Sequence, residues 1–208
     1  MPTPQRNKVI AAISAVSIAI GIIVMAGWLF NIPILKEIVP GFVPMVFNPA
    51  LCFVLFGTAL LVKQYLNLSS RYRGIVFLAL STAGALVGLI TLLQFLFHFN
   101  TGLDELFVTD SQKISANHLY AGRMAYNTAI AFTLLGLGFL MLSLKRRVLN
   151  LIAQYLFHTV SVLSAIALIG YLYGVSLFNT LLYVSSMATH TAILFLILSV
   201  GAAMLNPS

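Results

Sequence analysis

Histidine is the side chain of this sequence best suited to chemistry near neutral pH, and it occurs four times: His98, His118, His158 and His190. Ionisable groups within or beside long apolar segments are functional candidates by default, because burying them is expensive. His98 closes one apolar run and His190 opens another, so the two match in depth at one end of the chain's helices. Two facing imidazoles are what a bis-histidine haem b requires. Imidazole joined to thioether suits copper, for which His98, His118 and His190 with Met45, Met124 or Met187 would be the donors. Neither set has a close ligand spacing, so no cofactor is the leading expectation, with haem b or copper as the alternative. His158 lies in the inner half of another run with Gln154 one helical turn before it, which suits a hydrogen bond to a neighbouring helix.

Other catalytic signatures do not occur. There is no Walker loop, no H-E-x-x-H helix and no G-x-S-x-G elbow. No lysine sits mid-run, which excludes a retinal Schiff base. No acid lies inside a run either, so a carboxylate proton relay has no carrier and a small transporter is disfavoured. The chain is not expected to be an enzyme. Asp104, Glu105 and Asp110 read as a solvated loop. The lone Cys52 rules out an intrachain disulfide.

The elements that must position these residues are set by composition. Of 208 residues, 61% are hydrophobic and 7% charged, against about 25% charged in soluble domains. A chain this apolar cannot cover a water-facing surface, which excludes a soluble enzyme, a disordered tail and a coiled coil. The net charge of +7 does not indicate nucleic acid, because the 11 basic residues are scattered at the ends of apolar runs. The lipid bilayer is the expected partner.

Crossing a bilayer takes about 20 apolar residues as a helix. Six segments meet or approach that length: 9–30, 48–66, 74–98, 126–144, 149–173 and 189–206. With the N-terminus cytoplasmic, that side receives Arg6, Lys8, Lys63, Arg71, Arg73, Lys145, Arg146 and Arg147. The other side holds only Lys36, Lys113 and Arg123 together with all four acids. The excess of basic residues sets both termini in the cytoplasm. The expected fold is all-α, a six-transmembrane-helix bundle in one domain.

An internal repeat runs through it. Met45-Val46-Phe47-Asn48-Pro49-Ala50-Leu51-Cys52-Phe53 opens the second segment. Met124-Ala125-Tyr126-Asn127-Thr128-Ala129-Ile130-Ala131-Phe132 opens the fourth, and Met187-Ala188-Thr189-His190-Thr191-Ala192-Ile193-Leu194-Phe195 the sixth. The shared pattern is M-x-x-[N/H]-[P/T]-A-x-x-F, with Gly57, Gly136 or Ser199 nine positions after the Asn or His. The odd segments end in aromatic pairs: Trp28/Phe30, Phe95/Phe97 and Tyr171/Tyr173. Such rings suit the membrane interface. Three helical hairpins, 9–66, 74–144 and 149–206, inserted the same way and related by an axis along the membrane normal, account for this most simply. Asn48 and Asn127 are good N-caps and Pro49 suits a first helical turn. Alternatively, Asn48, Asn127 and His190 gather at one depth and rim a small-ligand pocket between the hairpins. Gly84-x-x-x-Gly88 and Gly170-x-x-x-Gly174 permit close helix approach, within the chain or at a homodimer seam.

The runs Gly27 to Pro33, Asn48 to Phe53, Gly122 to Ala129, Gly170 to Val175 and His190-Thr191-Ala192 resemble the six-helix membrane-associated sensor (MASE-like) regions at the N-termini of bacterial histidine kinases and diguanylate cyclases. The resemblance spans nearly the whole chain and its motifs are rich in common membrane residues. It implies a sensor domain of the bacterial inner membrane whose last helix continues into a cytoplasmic signalling module. This chain stops at Asn206-Pro207-Ser208, as expected of an excised sensor or a stand-alone relative. The resemblance transfers no ligand and no catalytic residue. The residues expected to meet a small or hydrophobic ligand are Trp28, Asn48, His98, Asn127, Tyr171 and His190.

Overall fold

The computed structural model describes residues 4–37, 43–65, 69–108, 122–172 and 187–205. Among them the chain is all-α: α1 (Pro4–Leu29), a short α2 (Pro33–Lys36), α3 (Phe47–Tyr65), α4 (Ser70–Phe97), α5 (Tyr126–Ser143), α6 (Arg147–Leu172) and α7 (Thr189–Ala203), with a 3-10 turn at Leu103–Glu105. The helices α1, α3, α4, α5 and α6 are long and apolar enough to cross a membrane. The apolar α7 has 15 residues, fewer than the about 20 of an untilted span.

The outer helices are inside-out relative to a water-soluble protein. Val16, Ile22 and Ile23 on α1, Leu78, Leu86 and Leu89 on α4, and Leu151, Val162 and Ile169 on α6 are exposed. Ser14, Ser81 and Ser164 on the same helices are fully buried. Each hydroxyl returns to the carbonyl four residues earlier, Ile10 at 2.9 Å, Phe77 at 2.7 Å and Val160 at 2.7 Å. That arrangement suits lipid, where the solvent makes no hydrogen bonds and polar groups must be satisfied within the protein.

Consecutive long helices pair as hairpins, α1 with α3, α4 with α5 and α6 with α7. Neighbouring hairpins meet through α3 on α4, α5 on α6 and α7 on α1, which closes a ring. Inside it α3, α5 and α7 touch one another. The apolar stretch of α3 is 61% buried, against 28% for α1.

The core follows from the repeat. The phenylalanine that ends each motif points to the common axis. Ring centroids of Phe53 and Phe132, and of Phe53 and Phe195, lie 4.9 Å apart, and those of Phe132 and Phe195 4.4 Å. Counting on in each helix gives Phe56, Leu135 and Leu198, then Leu60, Phe139 and Ala202, all fully buried. Counting back gives Pro49, Thr128 and Thr191, also buried. The steps alternate between three and four residues, the spacing of a helical seam.

Close approach within each hairpin falls on the small residue nine positions after the motif's Asn or His. A Cβ on Gly57 would lie 3.1 Å from Ser17 Cβ and 3.2 Å from Ser14 O of α1. One on Gly136 would collide with Ala85 of α4. In the third hairpin Ser199 Oγ and Ser161 Oγ share a 2.7 Å hydrogen bond. The glycines of Gly84-x-x-x-Gly88 are used inside the chain, Gly84 against the ring of Phe56 and Gly88 against Phe132 and Thr133. Gly174 lies outside the described residues. The interhelical bond expected of His158 is made instead by Gln154, which donates to Ala203 O at 3.2 Å while His158 faces outward.

Candidate functional site

At the end of the bundle where α3, α5 and α7 begin, the three helices surround a half-open cavity of about 30 Å³. Its wall repeats the motif: Met45, Val46 and Pro49 from the first copy, Met124, Ala125 and Thr128 from the second, Ala188 and Thr191 from the third, with Val43, Pro44 and Arg123 above. The volume matches about one water molecule.

The six residues expected at a ligand surround this end, and none of them lines the cavity. Two fix its rim. Trp28, 8% exposed, donates Nε1 to the carbonyl of Met45 at 2.8 Å. Tyr171 donates its hydroxyl to the carbonyl of Met187 at 2.6 Å. These are the same contact in the first and third hairpins: the aromatic end of the outer helix holds the first motif residue of the inner one. At the corresponding place in the second hairpin stands Phe95, which cannot donate. Its ring instead packs against Tyr126 and lies under the guanidinium of Arg123. The second ring of two of the aromatic pairs points away from the bundle, Phe30 and Phe97 being 74% and 70% exposed. Tyr173 lies outside the described residues.

Asn48 and Asn127 do not take the expected N-cap positions. α5 is preceded by Ala125 and α7 by Ala188, both extended and without a side-chain cap. Asn48 sits inside the first turn of α3 and donates Nδ2 to Leu103 O at 2.9 Å, tying the first hairpin to the α4–α5 connection of the second. That tertiary bond takes the amide away from local capping. Asn127 accepts from Thr128 N at 2.9 Å through Oδ1. His190, 3% exposed, has no partner for Nε2 among the described residues.

His98 has a backbone role. It is exposed and ends α4 in the left-handed region with φ 54°, as Asn31 ends α1 with φ 53°. Asn31 closes a Schellman motif, in which Ile32 N donates to Gly27 O at 2.8 Å and Asn31 N to Trp28 O at 3.4 Å. So exposed His98 and buried His190 occupy different surroundings. His118 lies outside the described residues. Among those residues no three His, Cys, Asp or Glu side chains are placed to share a metal.

Sequence reasoning missed the most polar feature of this end. Asp104, expected in solvent, is 5% exposed and pairs with Arg123 at 2.8 Å, the two side chains being 3% and 4% exposed. Gln94 Nε2 lies 3.3 Å from the same carboxylate oxygen and 2.9 Å from Thr101 Oγ1. Gly122, with φ 69°, lets the chain pass Asp104, since a Cβ there would lie 2.7 Å from the Asp104 carbonyl. Glu105 is exposed, and Asp110 lies outside the described residues. The first hairpin has a parallel arrangement: Lys36, 7% exposed, donates Nζ to Asn31 Oδ1 at 3.0 Å and lies 4.2 Å over the Trp28 ring. A desolvated cation over an aromatic face contributes about 2 kcal/mol.

Chemically, this end combines a small cavity, the starts of three helices and two cations held over aromatic rings. It has the parts of a binding site rather than of a nucleophile–base constellation. No family model matches this chain, and no curated protein or solved structure matches it either.

Proposed function

We propose that the chain is a membrane-embedded sensory input domain with six spans and both termini on the cytoplasmic side of a bacterial inner membrane. Binding of a small ligand at the outer end would bias two packings of the three hairpins. The seventh helix would carry the difference to a cytoplasmic signalling module. A ligand shifts such an equilibrium only by its differential affinity for the two states.

One observation carries the reading: α7 touches both the binding end and the opposite end. Ala188 and Thr191 at its start line the cavity, Phe195 joins the aromatic triangle, and Ala203 at its far end accepts from Gln154 of α6. A change in how the helices meet around the cavity is therefore also a change in the position of the last helix. The thin seams at Gly57 and Gly136 lie within the first two hairpins, where little side-chain interlocking opposes a slide of the inner helix against its outer partner.

The test joins the whole chain to a diguanylate cyclase module and inserts one to seven residues after Ser208. Output that rises and falls with helical period, and that changes when Phe195→Ala loosens the axis, is expected. Output indifferent to both would overturn the sensory role.

A further inference from the structure

We infer that the cavity on the axis binds a small inorganic anion of halide size. The helices α3, α5 and α7 all start at it, so the positive ends of three helix dipoles converge on one small volume. Each helix N-terminus is equivalent to about half a positive charge, and the field falls off within about a turn. Ala125 and Ala188 cap neither α5 nor α7 with a side chain, and on α5 the Asn127 amide oxygen takes only the N–H of Thr128. Arg123 adds a guanidinium to the wall, largely balanced by Asp104.

Independently of the helix ends, two hydroxyls point to a ligand. Thr128 and Thr191 are each 2% exposed and line the cavity. Buried Thr133, Ser81 and Ser164 all return their hydroxyls to the carbonyl four residues back. Thr128 and Thr191 make no such bond and have no other hydroxyl partner among the described residues. They face the cavity as donors still to be used.

The sign of the field disfavours a cation. A volume of about 30 Å³ fits a monoatomic anion or a single water more closely than an organic carboxylate or phosphate.

The inference deepens the proposed function by naming the ligand class of its outer-end site, but it is read by binding and not by output. Halide binding without signalling keeps the site and loses the sensory role; a halide-blind chain that still signals does the reverse.

Trp28 is the only tryptophan, and it is bonded to the carbonyl of Met45, whose side chain lines the cavity. The experiment follows its fluorescence and the melting temperature of the full chain in micelles as chloride, then bromide, replaces gluconate at constant ionic strength. A saturable change in both is expected. Thr128→Val with Thr191→Val should weaken it at least about ten-fold through two lost hydrogen bonds. Thr128→Ser with Thr191→Ser should stay close to wild type, which keeps the test valid if the valine pair folds poorly. Wild-type protein insensitive to both halides, as a cavity holding only water would be, overturns the inference. So does a folded valine pair with undiminished halide response.

Discussion

The indole Nε1 of Trp28 donates to the main-chain oxygen of Met45 at 2.8 Å across the mouth of the first hairpin. The bond from Tyr171 to Met187 repeats it in the third. Two unlike aromatic residues therefore make one contact, required by the geometry of the hairpin and not by the identity of the ring. Tyr171→Phe keeps the packing and removes the donor, whereas Trp28→Phe also shrinks a buried ring beneath Lys36. We expect Tyr171→Phe to cost about 1 kcal/mol and Trp28→Phe clearly more. The two costs should add, since the sites lie in different hairpins. Denaturant unfolding in micelles measures both.

Phe132 sits where the three inner helices meet, against both Phe53 and Phe195. Lipid tails are as apolar as the core, so its contribution is packing rather than escape from water. Phe132→Ala is expected to cost about 3 kcal/mol through the cavity it leaves. Phe97→Ala, at an exposed ring, should change stability by less than about 0.5 kcal/mol.

Glycines separate close approach from ordinary helix propensity. A Cβ on Gly88 would lie 2.9 Å from Phe132 Cβ and 3.0 Å from Thr133 N, whereas one on Gly74 meets nothing within 4 Å. Gly88→Ala should destabilise the α4–α5 pair, and Gly74→Ala should stabilise α4 by up to about 1 kcal/mol. Opposite signs of the two melting shifts are the expected result.

Asp104 and Arg123 form a buried pair, so removing one partner leaves a charge without its complement. Asp104→Asn and Arg123→Met should each cost about 3–5 kcal/mol, and the double variant clearly less than their sum. A double-mutant cycle on thermal unfolding reads this coupling.

Much of the architecture is legible in the sequence. Helix ends fall within a few residues of the apolar runs, because Pro33, Asn67 and Lys145-Arg146-Arg147 break them sharply. The motif's phenylalanine and its small residue are both visible as repeats. Their roles, axis and seam, are not, because helices apolar on every side carry no periodic contrast to show which face turns inward. The same applies to Phe56 and Leu60. The functional end was less readable. Asp104 and Arg123 are 19 positions apart, and their contact, with left-handed Gly122 packed against the Asp104 carbonyl, has no local sequence signature. Asn48 looks like a cap until the loop carbonyl of Leu103 is in place beside it. His98 and Asn31 hold equivalent left-handed positions, a kinship that imidazole chemistry obscures.

The convergence of the three helix starts is the claim on which the cavity, the anion and the sensory reading all depend. Cross-linking tests it most directly. In a Cys52→Ala background, which has no other cysteine, cysteines are placed in pairs at Val46, Ala125 and Ala188, with Leu96 as an outward-facing control. Oxidation or a short bifunctional reagent should link all three pairs among 46, 125 and 188 within one chain, and none of them to 96. Failure of those pairs to link in a folded protein, or equal linking to 96, would contradict the shared axis.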